Sequence, residues 1–291
     1  MPELPEVETI RRQLAPVVEG RVLERLEVLD PRWCEPAAPA EVADALRGRR
    51  VERLSRRGKY LVWELEDEVY LLMHLRMTGN LLVVPAEQDS EPRTHLRARL
   101  VLDSGLHVLF VDVRRFGTGV VLLGDDALHD YFASRLGVEP LSLDFTAEAL
   151  RALARGRKAP VKAFLLSQER IAGVGNIYAD EALWRAQIHP LRPVGTLKRA
   201  QIEALRDGVV ASLEAGIDAR GASIDDFRHT DGARGSFQDR FVVYGRAGEP
   251  CFRCGHTIVK LRAAGRGTYV CEHCQRRPRQ RRPLQTPVLS R

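Results

Sequence analysis

The sequence predicts an α+β chain of two domains: an antiparallel β-sandwich with one leading helix, then a helical domain ending in a cysteine-bearing hairpin. Three observations carry this. A length of 291 residues exceeds one small domain. Between Arg21 and about Leu123, short apolar or alternating runs are divided by turn residues, as in antiparallel strands. Beyond Leu136-Gly137-Val138-Glu139-Pro140 the apolar spacing turns helical.

Val7, Ile10, Leu14 and Val17 follow helical spacing after Pro5 and predict a short amphipathic helix over residues 5–18. Strands are expected at Tyr60–Leu65, Val69–Leu75, Asn80–Val84, Leu96–Leu102, His107–Val113 and Val120–Leu123, with turns such as Thr78-Gly79-Asn80 and Asp103-Ser104-Gly105 between them. Such strands form a sandwich or a barrel. Thr146 can cap a helix over Ala147–Arg155, and Lys158–Ser167, Asn176–Gln187 and Leu197–Ala215 follow. From Phe237 the chain is Gly-rich and short-stranded. This divides it into an N-terminal domain (1–136), a helical domain (141–236), a cysteine module (237–275) and a basic tail (276–291). The three Pro and six Arg after Cys274 predict disorder there.

The charge is unevenly spread. Residues 240–291 hold 12 Lys/Arg against two Asp/Glu, whereas residues 1–239 hold 33 against 37. A basic C-terminal segment is what a polyanion-contacting chain needs. The cations comprise 40 Arg and only five Lys; Arg suits bidentate phosphate contact, although a GC-rich genome gives the same bias. No run approaches ~18 apolar residues, so no membrane span is expected. The acidic opening Met1-Pro2-Glu3-Leu4-Pro5-Glu6 has no apolar signal core, and a cytoplasmic protein is expected.

Four of the five cysteines form two pairs, Cys251-x2-Cys254 and Cys271-x2-Cys274, separated by 16 residues. Two such knuckles joined by a hairpin match a tetrahedral zinc site, structural because four thiolates leave no open position. Disulfides are the weaker reading in a reduced compartment. His256 and His273 can substitute as ligands, but four Cys suffice. Arg253, Lys260, Arg262 and Arg266 equip the hairpin to meet a nucleic acid. Cys34 stands alone and reads as an ordinary small residue.

Met1 precedes Pro2, and initiator Met is normally removed before so small a residue. That exposes a secondary amine, and an α-amino group titrates near ~8, well below Lys at ~10.4. A neutral fraction can attack an aldehyde-like carbon and form an iminium ion. Glu3 and Glu6 lie beside it and can transfer protons; they can equally serve only to favour the helix start.

The opening Met1-Pro2-Glu3-Leu4-Pro5-Glu6-Val7-Glu8-Thr9 resembles that of the bacterial formamidopyrimidine-DNA glycosylase family. The resemblance continues through Arg57-Gly58-Lys59-Tyr60-Leu61, His74-Leu75-Arg76-Met77-Thr78-Gly79, Asp112-Val113-Arg114-Arg115-Phe116-Gly117, Ala172-Gly173-Val174-Gly175-Asn176-Ile177-Tyr178-Ala179-Asp180-Glu181, Val243-Tyr244-Gly245-Arg246 and the four cysteines. It covers residues 1 to about 275.

The resemblance implies a monomeric base-excision-repair enzyme with one structural zinc, acting on double-stranded DNA with oxidised purines or abasic sites. It excises the base and then cuts the strand by β,δ-elimination. It implies a helix–two-turn–helix element in the second domain. It places the nucleophile on Pro2, acid/base work on Glu3 with Glu6 in support, and further catalytic roles on Lys59 and Arg266. Lys59 competes with a plain basic patch, since Arg56 and Arg57 flank it. A flipped base leaves a gap, for which the family inserts residues matching Met77, Arg114 and Phe116. Asn176 matches a backbone contact beside the lesion, and Gly173-Val174-Gly175 before a helix offers amides to a phosphate. His74, His95, Arg157 and Lys162 resemble phosphate-binding positions. Arg76 stands where the family usually has Gly, and Val113 where it usually has Pro, which bears on the insertion loops. Two rival readings are an endonuclease VIII-like glycosylase for oxidised pyrimidines and a non-catalytic, zinc-dependent DNA-binding protein. Leu4 and the Arg-Arg-Phe-Gly block disfavour the first, and Pro2, Glu3 and Lys59 together disfavour the second.

Overall fold

The structure, a computed structural model, describes residues 2–89, 93–224 and 227–278. Most of the expected basic tail, residues 279–291, lies outside the described residues. Helix α1 (Leu4–Val18) leads into β1 (Val22–Val28), α2 (Pro39–Leu46), β2 (Arg49–Arg57), β3 (Tyr60–Leu65), β4 (Val69–His74), β5 (Gly79–Pro85), β6 (Leu96–Leu102), β7 (Leu106–Asp112), β8 (Thr118–Leu123) and α3 (Asp125–Ala133). The strands run in the order β5-β7-β6-β1-β2-β3-β4-β8, all antiparallel.

β1 and β2 meet only at Val22↔Arg50 and Leu23↔Arg49. That narrow seam folds the sheet into two four-stranded halves, which share one core. Leu26, Leu81, Leu100 and Phe110 from one half face Leu54, Leu61, Trp63 and Leu71 from the other. The result is the expected sandwich, open at β5 and β8. Beta2 escapes a hydrophobicity reading because five of its nine residues are Arg and a bulge between Val51 and Arg53 breaks the alternation. Only Val51 and Leu54 of that strand are buried.

The second half holds α4 (Ala147–Ala154), α5 (Val161–Leu166), α6 (Asn176–Arg185) and α7 (Arg199–Asp218). Thr146 caps α4 as expected, its Oγ1 accepting from the Ala149 amide at 3.1 Å. Leu150, Phe164, Leu165, Tyr178, Leu183, Leu205, Val209 and Leu213 build a separate core. The hairpin of β9 (Val259–Ala263) and β10 (Arg266–Val270) closes the chain. No helix among the described residues is long and apolar enough to cross a membrane.

Helix α1 joins the two cores. Val7, Ile10, Leu14 and Val18 pack in the sandwich, whereas Leu4 packs among the helical-domain residues. Elsewhere in the sandwich Trp33 packs its indole against β8 at Gly119, where a Cβ would come within 2.1 Å of the ring. Gly119→Ala must therefore expel the ring, a fault typically worth ~1–3 kcal/mol. The midpoint of chemical denaturation, followed by fluorescence, should fall accordingly, and an unshifted midpoint would refute this packing.

Candidate active site

The N-terminal residues enter the joint between the two cores and are fixed there by backbone groups. The Leu4 amide donates to the Gly173 carbonyl at 3.1 Å. Glu3 accepts from the Ile177 amide at 2.9 Å and from the Tyr178 amide at 3.4 Å. These are otherwise unpaired amides at the start of α6, so the carboxylate caps that helix at the positive end of its dipole. Gly173 has a φ of +84°, and a Cβ there would lie 2.6 Å from Leu4; one on Gly175 would lie 2.3 Å from the Glu3 carboxyl carbon. The Gly173-Val174-Gly175 turn is thus moulded to the N-terminus. Glu3 occupies two of the amides at this helix start, Ile177 and Tyr178, so a phosphate contact there would fall to the amides that precede them.

Glu6, expected in a supporting acid/base role, is buried and ties three segments together. It accepts from the Glu3 amide at 2.8 Å, the Tyr178 hydroxyl at 2.7 Å and the Ala222 amide at 2.8 Å. Burial, and next the Glu3 charge, push its carboxyl above the usual range despite those donors. Ala222 opens the segment after α7 that crosses to the sandwich, where Arg228 donates its amide to Asn80 at 2.8 Å. Sequence reasoning missed this crossing, since nothing in its polar residues shows a partner.

Lys59, in the two-residue turn between β2 and β3, is only 5 % exposed. Burial is the main cause that lowers its pKa; Glu3 and Glu6 pull the other way, and Arg266 adds to the lowering. The charges of Glu3, Glu6 and Arg266 are therefore all felt at Lys59, and Glu3 directly follows the buried Pro2 in the chain. The neighbouring arginines do not form a solvated patch. Arg56 pairs with Glu8 at 3.2 Å and Glu139 at 3.1 Å, and Arg57 with Glu139 at 3.3 Å. The Gly58 amide also donates to Glu139. A linker carboxylate thus fixes the turn that carries Lys59.

The basic hairpin is gripped from below by α5 and α6. Lys162 is fully buried and pairs with Asp180 at 2.7 Å, while donating to Thr268 at 2.7 Å and to the Gly267 carbonyl at 3.2 Å. Burial pushes Lys162 down and Asp180 up to about 7, each opposed by the other's charge. The expectation of Lys162 as a phosphate ligand is thereby corrected: it has no surface to offer and holds the strand beside Arg266 instead. Asp180 also accepts from the Tyr269 amide, and Glu181 from the amides of Val242, Val243 and Tyr244. Asn176 reaches the Gly267 carbonyl at 3.2 Å. Arg266 itself is exposed.

The four finger sulfurs lie within 4.8 Å of one another, and none forms a disulfide. A tetrahedral Zn–S₄ centre has sulfurs ~3.8 Å apart, from Zn–S bonds of ~2.3 Å. Contacts of 3.5 Å for Cys254–Cys271 and 4.0 Å for Cys251–Cys274 fit that donor set. Cys251, Cys254, Cys271 and Cys274 are thus placed to hold one zinc, which would lock the hairpin base.

The expected insertion residues cluster on exposed loops. Met77 is 37 % and Phe116 52 % exposed, and the exposed Arg114 lies over the Phe116 ring at 4.9 Å. Asp112, unread in the sequence, organises them. Fully buried, it accepts from the Arg114, Phe116 and Gly117 amides and from the Thr78 hydroxyl. The exposed His95 joins this group through its carbonyl, which accepts the Asp112 amide at 2.9 Å. Arg76 adopts a φ of +53°, so the left-handed turn survives without Gly, at some cost in strain. Its amide donates to His74 Nδ1 at 2.9 Å. Burial, with the charges of Arg76 and Lys59, pushes His74 down to about 3, leaving a neutral imidazole with its proton on Nε2. Arg157 is exposed beyond α4, its Nε donating to the Leu153 carbonyl, and no contact among the described residues ties it to Lys59 or Arg266.

Comparison with known proteins places this arrangement. Residues 1–119 match the formamidopyrimidine-DNA glycosylase N-terminal domain, 136–228 its H2TH domain, and 248–277 the zinc finger found in FPG and IleRS. The chain is 43 % identical to a formamidopyrimidine-DNA glycosylase of Heliobacterium modesticaldum and 45 % to one of Roseiflexus, covering 95 % of this chain and all of each relative. Lactococcus lactis Fpg, solved in complex with DNA containing an abasic site, superposes with a TM-score of 0.87 at 35 % identity, covering 94 % of this chain and all of that one.

The Glu6 hub has a pH signature. A carboxyl with a raised folded pKa holds its proton to higher pH in the folded state than in the unfolded chain. Its stabilising contribution is complete below the unfolded value of ~4.3 and is lost as pH rises through the folded value. Glu6→Gln removes that titration. From about pH 4.3 upward, the melting temperature of the wild type should fall relative to Glu6→Gln; parallel profiles would contradict the hub's raised pKa.

Proposed function

The chain belongs to the formamidopyrimidine-DNA glycosylase family, and from that membership we propose how its own residues excise an oxidised purine and cut the strand behind it. The family assignment makes it a DNA glycosylase of base excision repair, with damaged double-stranded DNA as its partner. The bacterial cytoplasm, where the chromosome lies, is the compartment we assign to it. Structures of Lactococcus lactis Fpg carry DNA with abasic sites, Fapy-dG or an oxidised pyrimidine. Oxidised purines are the preferred substrate class we assign to this chain.

The observation that carries the reading is that buried Lys59 feels the charges of both Glu3 and Arg266, with Glu3, fixed by two α6 amides, next to the buried Pro2 in the chain. With Met1 removed, the Pro2 nitrogen lone pair attacks the sugar anomeric carbon as the bond to the base breaks. The departing base takes a proton, and ring opening leaves an iminium between Pro2 and the sugar. Loss of a proton from sugar carbon C2′ then expels the 3′ phosphate, and loss of a second proton from C4′ of the conjugated iminium expels the 5′ phosphate. Glu3, held by two α6 amides, is oriented to move protons at Pro2 and the sugar. Lys59, its pKa lowered by burial, gives up a proton more readily than a surface lysine. Arg266 meets the phosphate beside the lesion. His74 and Asn176 hold the adjoining backbone, while Met77, Arg114 and Phe116 fill the gap left by the flipped base. His95 and Arg157 supply outlying phosphate contacts.

Borohydride should cross-link the chain to abasic DNA with the adduct on the N-terminal peptide, and Glu3→Gln should retain damaged-duplex binding while excision falls by ~10²–10⁴-fold. An adduct on Lys59, or single-turnover excision unchanged in Glu3→Gln, overturns those assignments. The phosphate role of Arg266 has a separate readout. Each phosphate contact contributes about −0.9 to the slope of log affinity against log salt, so Arg266→Ala should make that slope shallower by about 1. A sequence-dependent loss at unchanged slope would mean that Arg266 reads a base.

A further inference from the structure

Two histidines on the finger are used by nothing described so far. His256 and His273 are both exposed, and their rings stack at 3.9 Å with an interplanar angle of 9°. Each comes from a different knuckle, His256 two residues after Cys254 and His273 just before Cys274. Their ligand atoms and the Cys254 sulfur all lie within 4.8 Å of one another. The His256 Nδ1 is 3.2 Å from the Cys254 carbonyl oxygen. A carbonyl only accepts, so Nδ1 carries the hydrogen and Nε2 keeps its lone pair. A backbone carbonyl holding one ring nitrogen is how proteins orient a metal-binding imidazole. Cys254 is half-buried, unlike the buried Cys251 and Cys271.

We propose that Cys254, His256 and His273 form a second, exposed site for a borderline divalent cation, adjoining the four-cysteine site and sharing one sulfur with it. A thiolate bound to one zinc retains lone pairs, and two imidazoles with a thiolate suit Zn²⁺, Ni²⁺ or Cu²⁺ rather than Mg²⁺ or Ca²⁺. The stacked rings must splay for both nitrogens to aim at one ion, and their exposure allows it. Water completes the coordination, so this site exchanges its metal while the four-cysteine site retains its own.

The test uses the full zinc-loaded chain and Ni²⁺ as the probe, with calorimetry and metal analysis after buffer exchange. The wild type should take up about one nickel without losing zinc. His256→Ala and His273→Ala should each weaken nickel binding by more than about tenfold, and the double variant should abolish it, all with zinc content unchanged. Three outcomes overturn the proposal. They are no nickel uptake by the wild type, uptake undiminished in the double variant, and zinc released in step with nickel bound.

Discussion

The contact on which the rest of the structure depends is the Glu3 carboxylate at the start of α6. A buried carboxylate without donors is costly, and a buried helix start without acceptors is costly too. Each removes the other's penalty, and they do so across the joint between two separate cores. The pairing leaves the N-terminus no freedom to wander. The Leu4 amide is spent on Gly173, and the Leu4 side chain is sunk in the helical core. An attacking nitrogen gains most from such confinement, because its position is settled before substrate arrives.

From that capped end, α6 carries the same constraint to the finger. Asn176 and Asp180 reach β10, and Glu181 takes the amides that precede the first knuckle. One ten-residue helix thus fixes both the terminal amine and the strand bearing Arg266. The Lys162–Asp180 pair adds rigidity rather than charge for DNA. Removing either partner would leave the other buried and unpaired, and such losses commonly reach ~3–5 kcal/mol.

Much of this was legible in the residues. The leading helix, β3, β6, the Thr146 cap and the four-cysteine spacing all followed from periodicity or ligand chemistry. Beta2 did not, because arginines mask its two buried positions. Lys162 was misread because a resemblance to a phosphate-binding position carries the residue type but not its burial. The Gly173–Gly175 turn was read only in part: a glycine pair before a helix does not reveal that a carboxylate of the chain itself also approaches. Here the anion is Glu3, 170 positions and more away in sequence. Asp112, Glu139 and Glu6 share that difficulty. Their donors come from remote segments or loop backbone, and carboxylates that organise loops have no spacing of their own.

The loops proposed to enter the duplex obey a different logic from the site they flank. Met77, Val113 and Phe116 expose apolar surface that the sandwich core has no use for, and the fold gains nothing by it. Yet the loops are not slack. Asp112 binds the Phe116 and Gly117 amides at 2.8 and 2.7 Å and takes the Thr78 hydroxyl from the neighbouring loop. A single buried carboxylate therefore keeps apolar tips out in water that would otherwise collapse onto the core. Apolar groups held out in this way mark a surface awaiting a partner. On the proposed reading that partner is a base stack with one member flipped out: it has an apolar gap of ring size, and unstacking has already cost a few kcal/mol. Holding the wedge ready beforehand lets its burial offset that cost at the moment the base leaves.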